Sequence, residues 1–406
     1  MIRSLLGIAI LVAMVLYFQL GEKKKGFHIN VKSAILCITI QILLAIIFLK
    51  IPAFSKVFSY ITAAFQVLQQ VTEKAVGFVF GGLSNPPQST GLGYIFCLQA
   101  LPLLITVSTI SSVLMYTGVL PAIVKGLSWS LRKITKISFG LSIGTSTSFF
   151  AGSSENALVL RHYLPHFSSH EILTIMVLGI STVSISMLAV LDAMYGAYIP
   201  SLMQYMVTAM VLNIFGALWI VGPIGHRKKE AEILTFDKPS SLLEAISQGI
   251  MAGARVVAII AVLIVGFLSL LYLVDAILSV VVIEGEPLTL ARILGWLLTP
   301  IAWLIGADSP TNVAHVIGIK IALNEVLAYK EAVNLMPLLS LQDQISTVFC
   351  ISNFANVGTI TSVVGTYSAL LPNRSSEMTQ LASRAFLLAL LNTFFTAICV
   401  RLVLSS

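Results

Sequence analysis

Gly152-Ser153-Ser154-Glu155-Asn156 stands in the middle of a long apolar stretch. Much later, Asn324-Glu325 and Phe354-Ala355-Asn356 interrupt apolar surroundings in the same way. A carboxylate in the hydrocarbon region costs about 2.5–3.5 kcal/mol on insertion scales, and such residues line substrate or ion paths. Two Glu-Asn clusters, one in each half of the chain, imply a solute-binding centre built from both halves.

The composition puts that centre in a membrane. The chain has 406 residues, 57% hydrophobic and 10% charged, and its mean hydropathy is +0.96. Soluble domains carry about 25% charged residues. Apolar runs recur at 4–20, 33–50, 94–124, 170–200, 204–222, 256–283, 345–371 and 385–404. Most reach the ~20 residues that a spanning helix needs. No stretch is polar and long enough to form a separate soluble domain, so residues 1–406 read as one polytopic unit. Its parts are amino-terminal spans (1–124), a first hairpin with following spans (137–222), a long connecting span (245–284) and a second hairpin with following spans (289–406).

The net charge is +7, yet its distribution argues against a nucleic-acid groove. Lys23, Lys24 and Lys25 form one basic group, and Lys125, Arg132, Lys133 and Lys136 a second. Arg227, Lys228, Lys229 and Lys238 form a third, and Arg374 and Arg384 follow. These groups lie in alternate connections, as expected for cytoplasmic loops. The amino terminus is therefore expected outside. The first apolar run has no small-residue cleavage site and reads as a retained span. Cys37, Cys97, Cys350 and Cys399 lie in or beside apolar segments without metal-ligand spacing, as packing residues would. The histidines show no His-Glu-x-x-His spacing either, and most are expected at interfaces or in loops.

Residues 55–76 differ from the spans. Phe58, Ile61, Phe65, Leu68 and Val71 recur at helical spacing among Gln66, Gln69, Gln70, Thr72 and Glu73, the pattern of a helix lying along the interface. Residues 138–168 are dense in hydroxyl residues and glycine, which weakens a continuous helix. Two half-length helices meeting at a polar tip are expected there. Residues 289–328 repeat the pattern, with the tip expected at Gly306-Ala307-Asp308-Ser309-Pro310 and a second helix running through Lys320, Asn324 and Glu325. Lys320 is placed either to pair with a carboxylate or to snorkel. Each hairpin precedes a span with polar residues inside it, 181–186 and 352–359. Unwound backbone there would offer carbonyls and hydroxyls to a solute; alternatively, the hydroxyls bond back to their own helices. The expected fold is an all-α polytopic membrane protein, with roughly eight transmembrane helices and two re-entrant hairpins in an inverted repeat.

On these motifs the chain resembles the concentrative nucleoside transporters in their shorter bacterial form. The family's Gly-Gln-Ser/Thr-Glu appears as Gly152-Ser153-Ser154-Glu155, with Arg161, Pro165 and Glu171 downstream. Gly318-Ile319-Lys320 and Asn324-Glu325-Val326-Leu327-Ala328-Tyr329 match a second motif. Phe354-Ala355-Asn356-Val357-Gly358-Thr359 matches a third, and Gly295-Trp296, Pro300-Ile301-Ala302-Trp303 and Gly306 follow the family too. The resemblance implies that Ser153, Ser154 and Glu155 face the nucleobase. It implies that Glu325 and Asn356 hold the ribose hydroxyls and that Phe354 and Thr359 complete the pocket. A carboxylate can accept both donors of a ribose diol, and an asparagine amide supplies both polarities. The chain departs from the family at Ser153 (Gln), Val326 (Phe), Gly358 (Ser) and Thr359 (Ser), and its segment after Gly306 is shorter.

The resemblance also implies a bacterial inner-membrane location, a homotrimer, and a cation site at Ser148, Ala151, Thr182 and Val183. Ser148 stands where sodium-coupled members have asparagine. Sodium needs several oxygens, which hydroxyls and carbonyls could still supply. A proton needs only a titratable group, and Glu155 and Glu325 are titratable groups in an apolar setting. Protons are therefore expected as the coupling ion, with sodium as the alternative and no other cofactor. Other readings are a transporter or receptor for another small polar solute, or an intramembrane enzyme using Glu155 or Glu325. The last lacks a metal site and a nucleophile pattern: no glycine follows Ser154 in register for a nucleophile elbow.

Overall fold

The computed structural model describes residues 2–23, 31–84, 95–150, 152, 156–157, 159–161, 163–221, 239–283 and 285–405. Among the described residues the regular structure is helical apart from one short two-stranded ribbon, Val282–Ile283 with Glu286–Pro287. Among the described residues, five helices are long and apolar enough to cross a membrane, and a bent helix pair makes a sixth candidate. Shorter and broken apolar helices supply the remaining spans.

Helices α1 (Ile2–Lys23) and α2 (Val31–Lys50) precede α3 (Pro52–Phe80). The chain turns at Ile51 because a residue before proline is driven into extended backbone, here φ −93° and ψ 113°. Phe58, Ile61, Phe65 and Leu68 of α3 pack toward the core, whereas Val71 is exposed. Helix α4 (Pro102–Tyr116) and the amphipathic α5 (Val119–Thr135) lead to α6 (Phe139–Thr147), the first arm of the first hairpin. Its glycines allow a close approach: a Cβ on Gly140 would meet the Phe167 ring at 2.4 Å, and one on Gly144 would meet Leu160 at 2.9 Å.

The first broken span is α7 (Ser169–Ser181) followed by α8 (Ile185–Tyr195), and the second is α14 (Leu341–Ile351) followed by α15 (Val357–Leu370). Between them lie α9 (Leu202–Val221), α10 (Leu242–Leu278), α11 (Leu290–Ile305), α12 (Pro310–Ala322) and α13 (Glu325–Leu335), and α16 (Ser375–Ser405) closes the chain. The single apolar runs read at 170–200 and 345–371 are thus both interrupted, as their polar residues suggested.

The second hairpin differs from expectation. Gly306, at φ +100°, does end α11, and α12 leaves at an angle of 120°. The chain then breaks again at Leu323-Asn324, so Glu325 opens a new helix and does not continue the old one. Asn324 adopts extended backbone (φ −164°, ψ 174°) and its Oδ1 accepts the Leu327 N–H at 3.0 Å, capping α13. The tip near Glu325 is therefore 323–324, between α12 and α13.

The two halves share a construction. Ser168 caps α7 and Ser340 caps α14, and the third residue of each helix is acidic, Glu171 and Asp343. Each carboxylate is buried and reaches back to the base of the preceding hairpin. Glu171 accepts the Ser138 hydroxyl at 2.9 Å, and Ser138 caps α6. Asp343 accepts the Asp308 and Ser309 N–H groups at 3.0 and 2.8 Å, ahead of α12. Sixteen residues separate the caps Ser168 and Ser184, and sixteen separate Ser340 and Asn356.

Broken helices leave carbonyls and N–H groups that need partners inside the protein. At the first break, Asn213 of α9 donates to the Ser181 carbonyl at 2.8 Å. Asn213 is held by Thr396, which accepts from Gln41, at 2.7 and 2.8 Å. Helix α1 is tied at both ends: Ser4 donates to Ile305 O at 3.0 Å, and Gln19 to Trp219 O at 2.7 Å.

Arg401 closes the 306–309 turn from α16. It donates to Asp343 at 3.0 Å and to Asp308 at 2.9 Å, with Asp343 fully buried. Removing one member of a buried pair strands the other charge, at a cost of about 3–5 kcal/mol. Arg401→Met should therefore lower the melting temperature sharply in detergent, whereas Arg374→Met, whose partner Glu377 is half-exposed, should lower it little. Equal melting temperatures for the two variants would show that Arg401 is not the pin.

Candidate functional site

Glu325 and Asn356 meet inside the protein. Each is nearly buried, at 6% and 5% exposure, and Asn356 Nδ2 donates to Glu325 Oε2 at 3.2 Å. Glu325 is the first residue of α13, where the helix N-terminus favours a carboxylate. Asn356 caps α15, its Oδ1 accepting both the N–H of Thr359 at 2.9 Å and its hydroxyl at 3.1 Å. The expected residues Glu325, Asn356 and Thr359 thus form one hydrogen-bonded group. Phe354 lies half-buried in the same break, against the core.

Behind this group lies Lys320, which is fully buried and does not snorkel. Its Nζ donates to Asn353 Oδ1, which also accepts the Ala355 N–H at 3.1 Å. Lysine therefore serves at the second break as Asn213 does at the first. Tyr329 stacks on Tyr195 with ring centroids 5.7 Å apart, and its hydroxyl is 2.6 Å from Ser352 Oγ. Tyr195 donates to Val326 O at 3.0 Å, linking α8 to the second hairpin. Asn353 and Tyr195 carried no role in the sequence reading; Asn353 could have been picked out as a buried amide beside Asn356.

Ser153, Ser154, Glu155 and Ala151 lie outside the described residues. Of the other proposed cation-site residues, Ser148, Thr182 and Val183 are all buried. Thr182 Oγ1 donates to Leu178 O at 2.9 Å and Ser148 Oγ to Gly144 O at 2.8 Å. Thr145 and Ser146 likewise bond back to their own helix at 2.7 Å. For these hydroxyls the helix-bonding reading holds. Asn156, fully buried, then points its Nδ2 at Ser148 Oγ and Gly144 O, at 2.7 and 3.0 Å. A donor N–H group thus faces Ser148 Oγ, so this member of the set as it stands does not offer its oxygen freely to a sodium ion.

His170 is one histidine outside the expected interfaces and loops: it is buried in the first turn of α7. Two further expectations need completion. Cys37, Cys350 and Cys399 are buried free thiols, but Cys97 is exposed in the single chain. Asp275, near the end of α10, accepts the Leu290 N–H at 2.8 Å and so positions α11.

A family model described as Na+ dependent nucleoside transporter C-terminus matches residues 205–401, and its N-terminus counterpart matches residues 6–83. The chain belongs to the concentrative nucleoside transporter family. A third model, described as nucleoside recognition, matches residues 97–198. The putative nucleoside permease NupX of Escherichia coli is 28% identical, covering 97% of each chain. Nucleoside permease NupC of Helicobacter pylori is 26% identical over 97% of this chain and 96% of its own. A solved structure of CNTnw in an inward-facing substrate-bound state superposes with a TM-score of 0.89, at 26% identity, covering 100% of this chain and 98% of that one. This is a family of membrane transporters, not of enzymes.

Asn356 and Ser184 are equivalent caps, and replacing either by alanine should cost about 1 kcal/mol of stability. Only Asn356 also touches Glu325. Asn356→Ala should therefore raise the KM for nucleoside uptake at least several-fold, while Ser184→Ala mainly lowers the melting temperature. An unchanged KM in Asn356→Ala would remove it from the substrate site.

Proposed function

We propose that this protein is a secondary active importer of nucleosides, with Glu325 and Asn356 as the ribose site. The observation that carries the reading is the Glu325–Asn356 pair, held between the tip of the second hairpin and the break in the second span. A carboxylate offers two acceptor oxygens to two adjacent hydroxyls, and the neighbouring amide adds a donor and an acceptor. Phe354 gives an apolar wall nearby. Ser153, Ser154 and Glu155 complete the proposal on the base side. Ser153 is shorter than the family's glutamine, so a Ser153→Gln change is expected to alter the ratio of purine to pyrimidine uptake. An unchanged ratio across a nucleoside panel would take Ser153 out of the base site.

Protons are the proposed coupling ion. The sodium-coupled set is altered at Ser148, and the Asn156 amide group fills the oxygens nearest to it. Glu155 and Glu325 are the groups that can take up and release a proton. The proposed setting is the bacterial inner membrane, with the amino terminus outside and the chains assembled as a trimer. The exposed apolar face of α10, including Val262, Val265 and Ile277, suits contact with lipid or with a further copy.

Glu325→Gln tests the core of the proposal. Losing a hydrogen bond to a charged group costs about 1.5–3 kcal/mol, more than tenfold in transport efficiency. Uptake should nearly vanish with the protein still in the membrane, and wild-type uptake would sink the ribose assignment. In wild type, uptake should rise as external pH falls and collapse with a protonophore; strict sodium dependence at constant pH would overturn proton coupling alone.

A further inference from the structure

At the end of α6 several donors converge on one carbonyl oxygen. Gly144 O receives the Ser148 N–H at 3.1 Å, the Ser148 hydroxyl at 2.8 Å and the Thr147 hydroxyl at 3.1 Å. Carbonyls in the last turn of a helix carry the negative end of its dipole. Onto this point Asn156, from the other arm of the hairpin, lowers its amide NH2, which also bonds Ser148 Oγ. The other end of the same amide, Oδ1, accepts the Thr147 hydroxyl. The Asn156 backbone N–H donates locally to Gly152 O at 2.8 Å, so it is the side chain that joins the arms. All four side chains or groups are buried.

We infer that the Asn156 carboxamide is a tethered substitute for a coupling cation, its NH2 supplying fixed positive partial charge where Gly144 O and Ser148 Oγ converge. A mobile ion would bring such charge only when bound, making closure of the hairpin arms depend on its concentration. The amide brings it permanently, so the arms stay joined whatever salt surrounds the protein. Reversing the amide's polarity should undo this. In Asn156→Asp a carboxylate oxygen replaces the NH2, and Gly144 O, Ser148 Oγ, Thr147 Oγ1 and the new carboxylate become an oxygen cluster suited to a small monovalent cation.

The inference rests on the transport reading only for its uptake arm. The melting arm is independent of substrate. Purified wild type should melt at the same temperature in sodium chloride and choline chloride. Asn156→Asp should gain about 3 °C or more in sodium, because an ion bound only by the folded state stabilises it. Asn156→Ser, which removes the NH2 and leaves a hydroxyl, gives the same comparison with less disruption if the aspartate variant does not fold. In uptake, wild type should be indifferent to replacing sodium by choline, and the variants should become sodium-stimulated. A sodium-dependent rise in wild-type melting, or folded variants that stay indifferent to sodium, would overturn the inference. Wild type without any nucleoside uptake would instead overturn the transport reading and leave the melting result standing.

Discussion

Glu171 and Asp343 are buried carboxylates in the first turns of two helices, and each holds the base of the hairpin that precedes it. Everything functional in the chain hangs from those two clamps. A hairpin inside a membrane protein has no water to satisfy its ends, so its base must be anchored by protein groups. The two clamps use different chemistry for the same job. Glu171 closes a ring of serines, Ser138 and Ser168, whereas Asp343 takes two backbone N–H groups and the Arg401 guanidinium. From cap to cap across the break, the two spans have the same length of sixteen residues.

At the breaks the two halves diverge. Asn213 serves the first break from a neighbouring helix, through a polar chain that ends at Gln41. Lys320 serves the second, from the hairpin itself, by holding the Asn353 side chain. A polar solute gains most from groups already oriented and already out of water, since neither then has to be ordered on binding. Asn356, locked as a helix cap, and Glu325, locked at a helix start, meet that condition.

Much of this was legible in the residues. Composition decided the membrane, and the clustered serine, threonine and asparagine residues at 181–186 and 352–359 revealed the broken spans. The Glu325–Asn356–Thr359 group followed from motifs. The second tip was misplaced because Gly306 and Pro310 are strong local turn signals, and they do mark a turn. Leu323-Asn324 carries no glycine or proline; its only cue was an asparagine ahead of an acidic residue, a helix-start pattern. The roles of Asn156 and Arg401 were not legible at all, and Lys320 was legible only as a choice between pairing with a carboxylate and snorkelling. Each depends on a partner on another segment, and spacing along one helix cannot show which amide or charge will be opposite.

Helix α10 is 37 residues long, about 55 Å at 1.5 Å per residue. The hydrocarbon core of a bilayer is about 30 Å thick. Gly249 and Gly253 press its first half against α4, with built Cβ atoms meeting Thr109 and Ile105 Cα at 2.6 Å. In the second half Asp275 meets the start of α11, but Val262, Val265, Leu270, Tyr272 and Ile277 stay exposed among the described residues. For that stretch the hydrophobic term of folding is supplied by something outside the polypeptide. Its helicity and tilt belong to the protein and its surroundings jointly, so the thickness and chemistry of the lipid act on this chain as an additional layer of core.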